Sequence, residues 1–207
     1  MKVLIACEES QRVCTAFRTR GHEAYSCDIL PSSGGHPEWH IQADAIQTMN
    51  EVNWELIIAH PPCTRLCRSG QSWLHTKNEE YNRKKRKEQQ DAIEFFMKFV
   101  YFAIRTGVKM AIENPIGIMS TLYRKPDQIY NPYDFAGETE CKRTCLWLFN
   151  GLQPLKKTQC LPSDQRTNHG YNAFFNGKQY CWNDPEVARL RSQTPFGVAK
   201  AMSEQWG

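Results

Sequence analysis

Short apolar runs alternate with amphipathic segments along the chain, and this order predicts a parallel sheet covered by helices. Lys2–Ala6 is a mostly apolar run typical of a buried strand. Apolar positions with helical spacing follow at residues 13–17, behind Ser10 as the predicted N-cap, and a second strand is predicted at residues 22–27. A β-α-β unit of this length makes its two strands parallel.

The same alternation continues to the end of the chain. The further predicted elements are a helical turn opening at Asp44, a strand at 54–59, a helix at 78–106, strands at 109–112 and 144–149, and a final helix at 195–205 capped by Thr194. Strands that alternate with helices indicate a doubly wound, Rossmann-like α/β domain. Ligands of such domains bind beyond the carboxyl ends of the strands.

Length and composition narrow the class of protein. The chain fits one domain, residues 1–207, and the irregular stretch at about 150–184 is interpreted as a short insertion on it. Nine irregularly spaced cysteines favour reduced thiols in a cytoplasmic protein over a disulfide framework. No apolar stretch approaches membrane-spanning length, and a net charge of +4 permits nucleic-acid contact without requiring it.

Polar residues collect where the predicted strands end. Residues 7–10 follow the first strand, Asp28 the second, residues 60–63 the third and residues 113–115 the fourth. Carboxyl ends of parallel strands meet at one edge of a sheet, so these groups predict a cleft there that carries both carboxylates and a thiol.

Two aspartates in this set suit a nucleoside ligand. Asp28 at the end of the second strand is placed to accept both ribose hydroxyls, and Asp44 to accept from an adenine amino group. The alternatives are a turn-forming residue for Asp28 and a helix cap for Asp44. Glu8 and Glu9 suit a cationic sulfonium better than a pyrophosphate, and the Gly-x-Gly-x-x-Gly pattern of dinucleotide sites is missing.

Cys63 is the candidate nucleophile. It follows Pro61 and Pro62, which restrict the backbone, and a thiol at a rigid strand end is suited to covalent catalysis. Glu113, at the end of the neighbouring strand, is its candidate partner. The alternatives are a structural buried cysteine and a glutamate that pairs with a basic residue.

These residues resemble, in order, the motifs of DNA cytosine-5 methyltransferases, and the chain is similar to compact phage and prophage proteins of that kind. The matching elements are the loop at 6–10, Asp28, Asp44-Ala45, Pro61-Pro62-Cys63, Glu113-Asn114, the basic strand start at 140–144 and the segment at 193–201. One departure lies in the first loop, where Gln11 stands at an expected glycine.

The resemblance implies an S-adenosylmethionine-dependent methyltransferase fold and activity on carbon 5 of cytosine. The substrate would be DNA or a free cytosine nucleotide, and a phage-encoded protein would work in the host cytoplasm. Cys63 would attack carbon 6, Glu113 would hold ring nitrogen 3 and the amino group, and Lys142 would assist. The implied cofactor contacts are Cys7, Glu8, Ser10, Asp28, Ile29, Asp44, Ala45, Pro61 and Gly197.

Three other interpretations stay open. Residues 57–63 also resemble the Asn/Asp-Pro-Pro-Tyr/Phe loop of amino methyltransferases, which modify the amino group of adenine or cytosine. A metal site is conceivable from four cysteines, Cys63, Cys67, Cys141 and Cys145, with His60 or His75, although no metal is expected. The third is a non-catalytic nucleic-acid or protein-binding module. The basic run at 83–87 is predicted to be a solvated helix face able to lie against phosphates.

Overall fold

The computed structural model describes residues 1–67, 78–167, 173–175, 178–180 and 185–207. Seven strands form one sheet in the spatial order β3-β2-β1-β4-β5-β7-β6. They are β1 (Lys2–Ala6), β2 (Glu23–Asp28), β3 (His40–Gln42), β4 (Leu56–Ala59), β5 (Lys109–Pro115), β6 (Gln128–Tyr130) and β7 (Thr144–Phe149). A separate hairpin pairs β8 (Ala173–Phe175) with β9 (Lys178–Tyr180).

Strands β1 to β5 run parallel, whereas β7 runs antiparallel to both β5 and β6. This mixed seven-stranded sheet with helices on both faces is a doubly wound, Rossmann-like α/β fold, so the predicted α/β class is confirmed. Since the five parallel strands share one direction, their carboxyl ends define one edge of the sheet, which we call the C-edge.

Helices cover the sheet on both sides. They are α1 (Arg12–Thr19), α2 (Ala45–Glu51), α3 (Glu79–Thr106), α4 (Met119–Leu122), α5 (Pro185–Ser192) and α6 (Phe196–Trp206). Short 3₁₀ turns lie at Pro37–Trp39, Pro132–Asp134 and Ser163–Gln165. In the described part of the chain, no helix is both long and apolar enough to span a membrane.

Successive side chains of the central strands point alternately into two hydrophobic cores, one on each face of the sheet. Val3 and Ile5 of β1 pack on the face covered by α1 and α6, and Leu4 and Ala6 pack on the face covered by α2, α3 and α4. This division follows from the two-residue period of a strand. The basic half of α3 stays outside the core, with Arg83, Lys84, Arg86 and Lys87 exposed, which confirms the predicted solvated face.

Both predicted caps of α1 and α6 are wrong. Gln11, not Ser10, stands at the N-cap of α1, and the side chain of Glu8 accepts the N–H groups of the first turn. Pro195, not Thr194, precedes α6, and the carboxylate of Glu138 accepts from Gly197 N at 2.7 Å. In both cases a more distant carboxylate satisfies helix N–H groups that a local hydroxyl was expected to satisfy.

Several short elements were not predicted from the pattern. Strands β3 and β6 have three residues each, helices α4 and α5 lie in stretches without clear periodicity, and β5 continues to Pro115. Of the expected insertion at about 150–184, residues 168–172, 176–177 and 181–184 lie outside the described residues. The single-domain organisation therefore stays a prediction.

Candidate active site

Backbone hydrogen bonds continue past the strand ends and gather the predicted loops at the C-edge. His60 N donates to Ala6 O at 2.9 Å, and Glu8 N donates to Cys27 O at 3.1 Å. These bonds fix the starts of the loops after β1 and β4 beside each other. The C-edge therefore carries the polar residues that the sequence placed there.

The loop after β1 has two residues in the left-handed backbone conformation that is typical of glycine, although neither residue is a glycine. Cys7 has φ 61° and Gln11 has φ 56°, both in the left-handed region that L-residues rarely adopt. The fully buried side chain of Gln11 holds the loop after β2, because Nε2 donates to His36 O at 2.7 Å and Oε1 accepts from His36 N at 3.0 Å. Gln11 thus supplies the backbone turn expected of a glycine and adds a side-chain anchor.

Two glutamates in this loop face inward. The Glu8 carboxylate accepts from Val13 N at 2.7 Å and from Cys14 N at 3.2 Å, and it is 5% exposed. Burial raises the pKa of Glu8, while the nearby imidazole of His60 acts in the opposite direction. Glu9 accepts a hydrogen bond from the Ser33 hydroxyl through one oxygen. Its other oxygen is buried and has no partner among the described residues.

The two predicted nucleoside ligands both lie near Cys7. Burial raises the pKa of the Cys7 thiol, and the charges of Asp28 and Asp44 raise it further, which places both carboxylates in the neighbourhood of that thiol. Asp28 Oδ1 accepts from Leu30 N at 2.9 Å, as in the turn-forming alternative. Beside Asp28, the apolar side chain of Ile29 is 72% exposed, so the predicted ribose ligand lies next to an open apolar surface.

Asp44 also serves as a helix cap. Its Oδ1 accepts from Ile46 N at 2.7 Å and from Gln47 N at 3.0 Å at the start of α2, and Ala45 begins that helix as a buried residue. The alternative interpretation of Asp44, as the cap of a helix, is therefore confirmed. The predicted contact with adenine is a separate role that remains a prediction.

Cys63 lies in a single helical turn after β4. The N–H groups of Leu66 and Cys67 both donate to the carbonyl of Cys63 at 2.9 Å, which puts Cys63 and Cys67 one turn apart. The contact with the Cys67 thiol, burial and the charge of Glu113 raise the pKa of Cys63, whereas Lys142 lowers it. Glu113 and Lys142 line one cleft, and both act on the pKa of the Cys63 thiol.

Two side-chain contacts join the loop after β4 to the end of β5. His60 Nδ1 lies 3.0 Å from Glu113 Oε2, and Asn114 Nδ2 donates to the carbonyl of Pro61 at 2.7 Å. Asn114 is 2% exposed. The sequence assigned no catalytic or cofactor role to either residue, although Asn114 belongs to the Glu113-Asn114 element and His60 appeared in the metal and amino-methyltransferase alternatives. The signal for both was their place beside Pro61 and Glu113 at adjacent strand ends.

Lys142 and Glu113 line a small cleft with Tyr130, Thr144 and Gln193. Lys142 Nζ donates to the carbonyl of Arg191 at 2.7 Å, which holds the ammonium group near the end of α5. Burial raises the pKa of Tyr130, and the negative charge of Glu113 adds to this effect. Glu113, the candidate acid, and the segment before α6 therefore line the same cleft.

Two predicted cofactor contacts lie in other surroundings. Gly197 packs against Ala136 and Glu138 so tightly that a Cβ atom would clash with both. Ser10 lines a groove of about 780 Å³ between α1 and α6, where Arg12 stacks on the exposed ring of Phe196 at 3.7 Å. The contact of these two residues with the cofactor remains a prediction. Within the described ranges, His, Cys, Asp and Glu side chains form no group of three able to hold a metal ion.

Comparison with known proteins gives similarity to solved structures alone. No protein-family model and no curated protein matches the chain. The chain is similar to the Entamoeba histolytica methyltransferase EhMeth, with 15% identity and a TM-score of 0.47 over 81% of this chain and 57% of that one. It is also similar to the S. pombe Dnmt2 methyltransferase, with 13% identity and a TM-score of 0.46 over 75% and 52%.

A third similar structure is a Spodoptera frugiperda DNMT2 mutant, with 14% identity and a TM-score of 0.41 over 84% of this chain and 59% of that one. The chain therefore spans just over half the length of each of these three proteins.

Proposed function

We propose that this protein is an S-adenosylmethionine-dependent methyltransferase that acts on carbon 5 of cytosine in DNA through Cys63. One observation carries the proposal. The Pro61-Pro62-Cys63 loop and Glu113 emerge at the carboxyl ends of two adjacent parallel strands, and Asn114 ties the loop to β5 through the Pro61 carbonyl. A nucleophile and an acid fixed to neighbouring strands suit attack on a flat ring bound between them.

Each group has a defined part in this chemistry. The Cys63 sulfur would form a bond to carbon 6 of the ring as its proton passes to solvent. The Glu113 carboxyl group would donate a hydrogen bond to ring nitrogen 3 and accept one from the amino group. Lys142 favours the charged thiolate, since it lowers the pKa that Cys67, burial and Glu113 raise. Carbon 5 would then take the methyl group, and loss of its proton to solvent would restore the double bond and release the Cys63 sulfur as a thiolate. A cytosine inside a duplex would first have to be flipped out.

The residues around Cys7 fit the proposed cofactor. When bound, S-adenosylmethionine supplies the methyl group. Asp28 and Asp44 would hold its nucleoside part, with Ile29 offering apolar surface beside them. One buried oxygen of Glu9 has no partner in the described part of the chain, and this loop is acidic; both features favour a ligand that carries positive charge.

The amino-methyltransferase alternative is less well supported. In that mechanism, the first residue of the loop must face the target amine. Here that residue is His60, and its Nδ1 is already engaged by Glu113 at 3.0 Å. The loop also ends in Cys63 where a stacking aromatic ring would be required.

Transfer of labelled methyl groups tests the proposed reaction. The protein is incubated with labelled S-adenosylmethionine and either DNA or cytosine nucleotides, and methylated bases are separated after digestion. We expect label on carbon 5 of cytosine and at least a 1,000-fold loss for Cys63→Ala, as is typical when a covalent nucleophile is removed, about 10³–10⁶-fold. Cys160→Ala, at an exposed thiol, is the matched control and should retain activity.

Calorimetric titration with S-adenosylmethionine tests the cofactor site separately. We expect Asp28→Ala to weaken binding by about tenfold or more. The two ribose hydroxyls would lose their carboxylate acceptor, and hydrogen bonds to a charged group contribute roughly 1.5–3 kcal/mol. Asp91→Ala, at an exposed position of α3, is the control. Unchanged affinity for Asp28→Ala would remove the ribose assignment, and an absence of binding by the unaltered protein would favour the non-catalytic module.

A further inference from the structure

The imidazole of His60 lies between two carboxylates of the site. Its Nδ1 is 3.0 Å from Glu113 Oε2, and it is near enough to Glu8 to act on the pKa of that group. Both members of the contact with Glu113 are shielded, since the side chains of His60 and Glu113 are 10% and 18% exposed. In the tautomer that carries its hydrogen on Nδ1, His60 donates this hydrogen bond to Glu113 Oε2.

The sheet itself brings this pair together. Ala59 of β4 pairs with Ile112 of β5, so the next residues of the two strands, His60 and Glu113, are neighbours by register. The backbone N–H of His60 is held by Ala6 O at 2.9 Å, and Pro61 restricts the backbone that follows. His60 is therefore a rigid donor, whereas a glutamate side chain has several rotamers.

We propose that His60 is a positioning residue that holds the Glu113 carboxylate in the orientation needed to contact the cytosine ring. The hydrogen bond fixes Oε2, which keeps a second lone pair for the amino group of the base, and Oε1, which has no hydrogen-bond partner among the described residues, remains for ring nitrogen 3. This inference rests on the proposed function and names a residue whose role is distinct from those of Cys63 and Glu113.

The second ring nitrogen supports a role beyond packing. His60 Nε2 is buried and has no hydrogen-bond partner among the described residues. Leaving a buried polar atom unpaired costs roughly 1–3 kcal/mol, so an apolar side chain would serve a purely structural role better. The imidazole instead lies with its Nδ1 at 3.0 Å from Glu113 Oε2, where a hydrogen on Nδ1 can be donated.

Three substitutions separate positioning from packing. His60→Asn places an amide N–H close to the position of Nδ1, His60→Gln places one close to Nε2, and His60→Ala removes both. We expect kcat for methyl transfer to fall about 10–100-fold in the Gln and Ala variants, the range expected when a reacting group is misplaced by about 1 Å, and the Asn variant to recover to within about fivefold of the unaltered protein.

Binding and folding are measured on the same variants. S-adenosylmethionine affinity should change by less than about threefold, because His60 does not hold the nucleoside groups, and urea unfolding establishes that each variant folds. His22→Asn is the matched control, since His22 lies at the opposite end of the sheet beside the N-terminus. If His60→Ala fails to fold, the comparison of the Asn and Gln variants decides.

Equal kcat values for the Asn and Gln variants would overturn the positioning role, and so would an Ala variant as active as the unaltered protein. These outcomes differ from failure of the proposed function itself. In that case the unaltered protein would transfer no methyl group to cytosine carbon 5, whatever residue stands at position 60.

Discussion

The left-handed backbone at Gln11 makes a prediction about the order of two substitutions. At an ordinary helical or extended position, alanine stabilises a protein more than glycine does. At φ 56°, the Cβ atom itself is the source of strain, so the order should reverse. We therefore compare Gln11→Gly with Gln11→Ala, which both lose the same side-chain contacts with His36.

The magnitude follows from two opposing effects. A left-handed conformation costs an L-residue roughly 1–2 kcal/mol, and glycine avoids this cost. Glycine loses about 0.5–1 kcal/mol more than alanine to backbone entropy on folding. Gln11→Gly should therefore be more stable than Gln11→Ala by up to about 1.5 kcal/mol, although both should be less stable than the unaltered protein because the buried hydrogen bonds to His36 are lost.

Urea unfolding of the two variants is the assay, and an exposed helical residue is the control. Lys87 lies within α3 and is exposed, so Lys87→Gly should be less stable than Lys87→Ala by about 0.8–1 kcal/mol. The sign of the glycine–alanine difference should thus be opposite at the two sites. A glycine variant at Gln11 that is less stable than the alanine variant by the amount seen at Lys87 would refute the left-handed loop.

Three further predictions concern the loop after β4 and the thiols of the protein. Asn114→Ala should lower stability by about 1–3 kcal/mol in urea unfolding, because the buried Pro61 carbonyl loses its donor. Cys67→Ala should speed alkylation of Cys63 at pH 8, followed by mass spectrometry, since the contact with Cys67 raises the Cys63 pKa. Stability should fall above pH 9, because unfolded thiols ionise there while the folded ones stay protonated; each contributes about 1.4 kcal/mol per pH unit. The thiols concerned are Cys7, Cys14, Cys27, Cys63 and Cys145.

Contradicting results are equally direct. An Asn114→Ala variant with unchanged stability would show that the Pro61 carbonyl finds another donor. Slower or unchanged alkylation in Cys67→Ala would remove the assigned cause of the raised Cys63 pKa. Stability that is flat between pH 9 and 11 would contradict the raised pKa values, since the pKa of Cys14 is raised to about 12 and that of Cys145 to about 11.

The longer parallel strands of the sheet were predictable because each is a continuous apolar run that can be recognised in the sequence. Lys2–Ala6 and Leu56–Ala59 are buried on both faces, which gives a run of apolar residues. Strands of three residues, such as His40–Gln42 and Gln128–Tyr130, are shorter than one period of any pattern and gain their structure from pairing with longer neighbours.

The residues of the candidate site that lie at strand ends could be predicted from the sequence. The contacts that depend on the direction of a side chain could not. Cys63 and Glu113 follow adjacent strands, so their proximity is a consequence of topology. The contact between His60 and Glu113 also follows from register, but only once the pairing of Ala59 with Ile112 is known. The capping of α6 by Glu138, 59 positions away from Gly197, has no local signal at all.

Trapping of a covalent intermediate tests the central claim most directly. A cytosine that carries fluorine at carbon 5 cannot lose that substituent after methyl transfer, so the bond between sulfur and carbon 6 should persist. Incubation of the protein with S-adenosylmethionine and DNA or nucleotide containing this base should leave a stable adduct on the Cys63 peptide, identified by mass spectrometry. Methyl transfer to carbon 5 of ordinary cytosine that persists in Cys63→Ala, with no adduct on Cys63, would contradict the mechanism.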